Sequence, residues 1–187
     1  SYARRFGKAV EGFDLVALNM AWAVAVLEAV ERHAPVELGL KWPNDLYART
    51  GQSEWRKLGG LLIEAHWRGE GCAGVVLGVG LNVQSTRKDG AWSAVSLQEL
   101  GSDRLDVEEW GRELEEAVRG AWSPPFDSER YRERLLFRGE RRTFEVNGKR
   151  REGAFIDALA DGRGRFEWAT GAADHEQGSV RWCWDQG

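Results

Sequence analysis

The chain is poor in the residues that build covalent or metal-held frameworks. Of its 187 residues two are cysteines, Cys72 and Cys183, and three are histidines, His33, His66 and His175. Two thiols are too few for a disulfide scaffold, and no cysteine or histidine has a second ligand at a helical or strand spacing, so a metal site is not expected. Long apolar runs are also lacking. The longest, around Ala21–Val30, is too short and too interrupted to cross a bilayer. The first residues do not read as a secretory leader, and a cytoplasmic chain with no membrane partner is the expectation. Charge of one sign is scarce as well: 26 Lys and Arg against 30 Asp and Glu leave a net charge of −4. With no basic tail and no basic stripe interleaved with aromatics, non-specific nucleic-acid binding is not indicated. Nor is there a Ser-His-Asp set, a cysteine in a basic niche or a paired-carboxylate signature.

What is present describes an ordinary globular chain, 42% hydrophobic and 30% charged, long enough for one medium domain or one domain with a small appendage. Ten tryptophans are many. Their dispersion favours packing over a stacking platform.

Periodicity orders the chain. Phe13 to Arg32 reads as a helix with Asp14 as N-cap, apolar at Leu15, Leu18, Trp22, Ala25, Val26 and Ala29, and stopped by Pro35. Val36 to Trp42 reads as a strand ended by Pro43. Tyr47 to Trp55, polar and holding Gly51, reads as a hairpin loop. Leu58 to Trp67 and Cys72 to Val83 read as two strands joined at Gly69-Glu70-Gly71. The run Val75-Val76-Leu77 in the second argues burial on both faces. Val95 to Leu100 reads as a short helical piece, Val107 to Trp122 as an amphipathic helix capped by Asp106 and broken by Pro124-Pro125, and Ser128 to Phe137 as a further helix.

After Gly139 the character changes to short strands: Thr143–Val146, a hairpin signal at Asn147-Gly148, Ala154–Asp157, Arg165–Trp168 and Val180–Trp184. Several strands in about fifty residues predict a small β-barrel. The boundary falls near 137–140, giving a core over 1–138 and a barrel over 139–187.

Three segments carry the chemistry. Lys41 lies at a strand end beside Pro43, Asn44 and Asp45, where a lysine can present a compact charge to a carboxylate or phosphate. A surface lysine with a turn-forming Pro-Asn-Asp is the plainer reading of that spacing alone. Lys57-Leu58-Gly59-Gly60 again sets a cation beside glycines, which mark either a bulge or a close-approaching ligand. Gly78-Val79-Gly80-Leu81-Asn82 is no dinucleotide fingerprint, because the third glycine and the following helix are missing. Its alternating glycines leave one sheet face bare for a flat group, with the Asn82 amide at its edge. With Lys41 and Asn82 ending neighbouring strands and Lys57 opening the strand between, two cations, an amide and bare backbone converge on a surface suited to a polyanion such as an adenylate. Electrostatic stabilisation of acyl or phosphoryl transfer is the chemistry such a surface supports.

These segments, Lys41-Trp42-Pro43-Asn44-Asp45, Lys57-Leu58-Gly59-Gly60 before Leu-Leu-Ile-Glu, and Gly78-Val79-Gly80-Leu81-Asn82-Val83, resemble bacterial biotin protein ligases over nearly the whole chain. The resemblance implies an α+β fold, a mixed β-sheet flanked by helices like a class II aminoacyl-tRNA synthetase, with a C-terminal SH3-like β-barrel. It implies that biotin, ATP and magnesium give biotinyl-adenylate, which a lysine of a biotin carboxyl-carrier domain then attacks. By match, Lys41 is the catalytic lysine at the biotin carboxylate and the adenylate phosphate. Trp42, Asn44 and Asp45 share its segment. Lys57, Gly59, Gly60, Gly78 and Gly80 wall the site, Asn82 lies on the nucleotide side, and Arg181 in the closing strand can reach back to the nucleotide. The family's Gly-Arg-rich loop and Ser-Thr segment should precede Tyr2 and are not among these residues, and Arg4-Arg5 and Gly162–Arg165 do not replace them. The chain then reads as a fragment, as one of two polypeptides, or as a non-catalytic relative that binds an adenylate or a carrier domain. A lipoate-attaching relative is a weaker match. No winged-helix DNA-binding segment is present, and homodimerisation through an edge strand is left open.

Overall fold

The computed structural model describes residues 2–10, 14–51, 54–84, 94–102, 106–122 and 127–183. Strand β1 (Tyr2–Val10) leads to helix α1 (Leu15–Glu31), then β2 (Leu38–Lys41), β3 (Asp45–Thr50), β4 (Glu54–Arg68) and β5 (Gly71–Leu81). Helices α2 (Val107–Gly120) and α3 (Ser128–Glu133) follow, and then β6 (Arg141–Val146), β7 (Lys149–Ala158), β8 (Gly164–Trp168), β9 (Gly171–His175) and β10 (Val180–Cys183). The expected helix start at Phe13, the Pro124-Pro125 break and the last strand's end at Trp184 lie outside the described residues.

Asp14 caps α1 as expected, its carboxylate accepting from the Ala17 N–H at 2.8 Å. The helix is apolar nearly all round and buries Leu18, Trp22, Val26, Leu27 and Val30 completely, as a helix enclosed on several sides must. Helix α2 is amphipathic instead: Asp106 accepts from the Glu108 and Glu109 N–H groups, and Trp110 and Val118 are its buried residues. The two helices touch where Trp22 Nε1 donates to the Val118 carbonyl at 3.1 Å.

The first sheet has the order β1-β5-β4-β3-β2 and every pairing between its strands is antiparallel. This corrects the expected mixed sheet. β2, β3, β4 and β5 follow one another through short turns, and a tight turn reverses the chain, so consecutive strands can pair only antiparallel. The expected loop over Tyr47–Trp55 is also corrected: β3 occupies Asp45–Thr50, with Leu46, Tyr47 and Ala48 buried between β2 and β4. Burial of β5 is one-sided. Val75 and Leu77 face the core, whereas Val76 is 41% exposed and Leu62 beside it in β4 is 61% exposed. The helical piece at 95–100 is a set of turns, and α3 stops at Glu133, four residues short of Phe137.

The second sheet has the order β10-β6-β7-β8-β9, again antiparallel throughout. Asn147 and Gly148 both have positive φ, 52° and 71°, the backbone a two-residue hairpin needs. Its inner face is aromatic: Phe144, Phe155 and Phe166 are wholly buried and pack with Trp168 and Trp182. No helix among the described residues is long and apolar enough to cross a membrane.

Candidate functional site

Lys41 is the last residue of β2, and its cross-strand partner is Asp45, the first of β3. The turn between them contains a cis Trp42-Pro43 peptide. Lys41 Nζ donates to Asp45 Oδ2 at 2.9 Å, and Lys57 Nζ donates to Asp45 Oδ1 at 2.6 Å. One carboxylate thus stands between two ammonium groups and leaves one positive charge in excess. Lys41 is 7% exposed and is the only charged residue so buried among those described. Burial pushes its pKa down, against the pull of Asp45. Burial also pushes Asp45 up, but the charge of Lys41 and the hydrogen bond and charge of Lys57 outweigh it, so the carboxyl is held below its ordinary range. The phenols of Tyr47 and Tyr131 are pushed up, first by burial and then by the Asp45 charge.

Bare backbone lies beside this cluster. Gly60 pairs with Asp45 on one side and with Gly80 on the other. A Cβ on Gly60 would meet Asp45 Oδ1 at 2.9 Å and Lys57 Nζ at 3.8 Å, whereas one on Gly78 or Gly80 would meet nothing within 3.7 Å. Opposed residues share a sheet face and side chains alternate, so Gly60, Gly80, Gly78, Leu62 and Val76 lie on the same exposed face as Asp45. Lys57 is not the opening residue of β4, which begins at Glu54, but the register shift between Leu46 and Tyr47 brings it to Asp45.

The remaining expected site residues have other engagements. Lys41 and Asn82 do not end neighbouring strands, because β3 and β4 lie between β2 and β5. Asn82 Nδ2 donates to the Val95 carbonyl at 3.2 Å and its own carbonyl accepts from the Leu97 N–H, so it anchors the 94–100 segment. Asn44 is a latch on β4: its amide donates to the Leu61 carbonyl and its carbonyl accepts from the Leu61 N–H. Trp42 points away from the open face into the second sheet. Its Nε1 donates to the Gly162 carbonyl at 3.1 Å and its ring stacks on Phe155 and meets Phe166 edge-on. Gly59 is a packing requirement, since a Cβ there would lie 2.3 Å from the Gly80 carbonyl oxygen.

Arg181 is 75% exposed and faces Glu145 at 3.8 Å. Its neighbour Trp182 is what reaches Lys41, the ring centroid lying 5.5 Å from Nζ. Sequence reasoning favoured the cation, but strand alternation puts Arg181 outward whenever Val180 and Trp182 are buried. Among the described residues no group of three or more His, Cys, Asp or Glu side chains is placed to hold a metal ion.

No protein-family model matches the chain. It is 42% identical over 87 residues to a biotin–[acetyl-CoA-carboxylase] ligase of Mycobacterium tuberculosis, a match covering 45% of this chain and 29% of that protein. Among solved structures, a mutant biotin protein ligase of Aquifex aeolicus in complex with biotin superposes with a TM-score of 0.74 and 19% identity, covering 98% of this chain and 77% of that one. The Aquifex aeolicus ligase in complex with biotin and ATP gives a TM-score of 0.69 at 19% identity, over 92% and 73%. The fold is accordingly the α+β fold of those ligases. Beside that likeness of fold, the sequence similarity to a curated ligase extends over 87 residues of this chain. The matched stretch is less than a third of the curated relative's length.

Proposed function

We propose that this chain carries the adenylate-forming centre of a biotin protein ligase. The observation that carries the reading is the Lys41–Asp45–Lys57 cluster over Gly60, set beside the open backbone of Gly78 and Gly80. In the proposed first step the biotin carboxylate oxygen attacks the α-phosphorus of ATP, the bond to the bridging oxygen breaks and pyrophosphate leaves. In the second, a lysine amine of a biotin carboxyl-carrier domain attacks the acyl carbon, AMP leaves with the former carboxylate oxygen, and the amine loses a proton to form the amide. Lys41 stabilises charge at both stages: two anions must be brought together in the first, and negative charge collects on the leaving phosphate in the second. Lys57 adds the second cation. Gly78 and Gly80 let a flat ligand lie close against the sheet, while Gly60 leaves room for the Asp45 carboxylate and the Lys57 ammonium beside it.

Among the described residues no group of three or more His, Cys, Asp or Glu side chains is placed to hold magnesium, which would lean chiefly on the ATP phosphates. Asp45 is the carboxylate at the cluster, and both of its oxygens already face ammonium groups. With that carboxylate already engaged, no step here is assigned to a protein-held metal. To the same proposal belong a class II synthetase-like core over 1–138 with an SH3-like barrel over 139–187, supported by two sheets whose strands do not mix. A cytoplasmic location, and an edge strand available to a second copy, complete it.

The test is to incubate the chain with biotin, ATP, magnesium and a carrier domain and read the carrier's intact mass. The expected result is a gain of one biotinyl group that disappears with K41A. A K41A chain forming adenylate at near the parent rate would remove Lys41 from its role.

A further inference from the structure

Lys41 is enclosed from three elements. Asp45 of β3 supplies a negative charge, and Lys57 of β4 opposes it with a positive one. From the second sheet comes the indole of Trp182, 5.5 Å from Nζ to the ring centroid. Tyr47 and Tyr131 are further titratable groups facing Asp45, and Arg142 of β6 faces Tyr47. A buried ammonium beside one shared carboxylate and one like charge is short of stabilisation, and an aromatic face within about 6 Å supplies some through its quadrupole.

The ring is in no position to drift. Trp182 is 5% exposed and is packed by Phe144 at 4.9 Å, Phe155 at 5.7 Å and Phe137 at 5.9 Å between centroids. Its height is set by the β10–β6 register, in which it stands opposite Phe144. The residue after Lys41 is held by the same unit, since Trp42 is bonded to Gly162 and stacked on Phe155. The second sheet thus touches both the ammonium of this lysine and the residue that follows it.

We propose that Trp182 is a positioning residue for Lys41, its indole face holding the ammonium group charged and aimed between Asp45 and the open glycine face. This rests on the ligase reading only for its catalytic consequence. The placement of Lys41 is measurable without any substrate.

The first experiment follows acylation of Lys41 in the full chain by a small amine-reactive reagent across pH, read by peptide mass spectrometry. In W182L, which keeps apolar bulk and removes the ring, the midpoint moves to lower pH, raising the free-amine fraction of Lys41 near neutrality about three- to tenfold. W182F keeps a smaller ring in the same packing and moves the midpoint the same way by less, so it decides the matter if W182L fails to fold. W168L, which opens a similar defect in the same aromatic core away from Lys41, leaves the midpoint in place. A midpoint unmoved or raised in the Trp182 variants, or lowered equally by W168L, overturns the proposal.

The second experiment measures adenylate formation. W182L lowers kcat about tenfold while W168L does not; equal losses in both mean that Trp182 is packing alone. A parent chain that makes no adenylate counts against the ligase reading, and the labelling midpoints still decide the role of Trp182.

Discussion

The indole Nε1 of Trp42 donates to the carbonyl of Gly162 at 3.1 Å, tying the residue beside Lys41 to a turn of the second sheet 120 positions along the chain. Gly162 has φ of +86°, and a Cβ there would press on Val16 of α1 at 2.9 Å. Helix, signature turn and second sheet therefore meet at one point. The turn that carries the candidate lysine is thereby also a structural joint.

W42A should damage stability first. It removes a wholly enclosed ring and its hydrogen bond, a loss of about 3–5 kcal/mol for a large aromatic truncated in a core. Urea unfolding followed by intrinsic fluorescence should show the midpoint fall, or the single transition split in two. A variant as stable as the parent would mean that the joint contributes little.

D45N should have a pH signature. The Asp45 carboxyl is held below its ordinary range in the folded chain, so as pH falls the unfolded chain takes up the proton first. The stabilising contribution is complete above the ordinary carboxylate value and is lost as pH drops through the depressed folded value. D45N leaves two ammonium groups without their shared anion and should cost about 2–4 kcal/mol at neutral pH. Parent and variant should converge in stability as pH falls through that depressed folded value. Thermal unfolding of both across pH 2–8 checks this, and a constant gap would show that the carboxylate does not titrate as stated.

G59A and G80V should separate packing from binding. A Cβ at Gly59 would run into the Gly80 carbonyl oxygen at 2.3 Å, so G59A should force β4 and β5 apart and cost about 1–3 kcal/mol. Gly80 has open space above it, and valine suits a strand. G80V should therefore fold normally while its side chain fills the bare face, weakening biotin or adenylate binding at least about tenfold. Calorimetric titration beside thermal unfolding distinguishes the two. A G80V chain with parent affinity would show that the glycine face is structural only.

Much of this was legible in the residues. The capped helices, the Asn147-Gly148 hairpin and the approach of Lys41, Asp45, Lys57 and the glycines follow from local patterns that act over a few residues. The misses are long-range. Whether an amide such as Asn44 or Asn82 is left for a ligand depends on which carbonyls the fold brings to it, Leu61 and Val95 here. Trp42 reads as part of a site segment because its partners, Phe155, Phe166 and Gly162, lie over a hundred residues on. The mixed sheet was expected from the resemblance, whereas the short turns joining β2 to β5 dictate antiparallel pairing.

The sharing of Asp45 between two lysines bears on which anions the cluster would favour. The carboxylate is a resident competitor: any arriving anion must draw an ammonium away from a partner it already has. A singly charged buffer ion that recruits one lysine gains little over that partner. A ligand with charge spread over a carboxylate and several phosphate oxygens can engage both lysines at once. On the ligase reading proposed above, the cluster would act as a threshold that favours a polyanion of sufficient reach over stray ions.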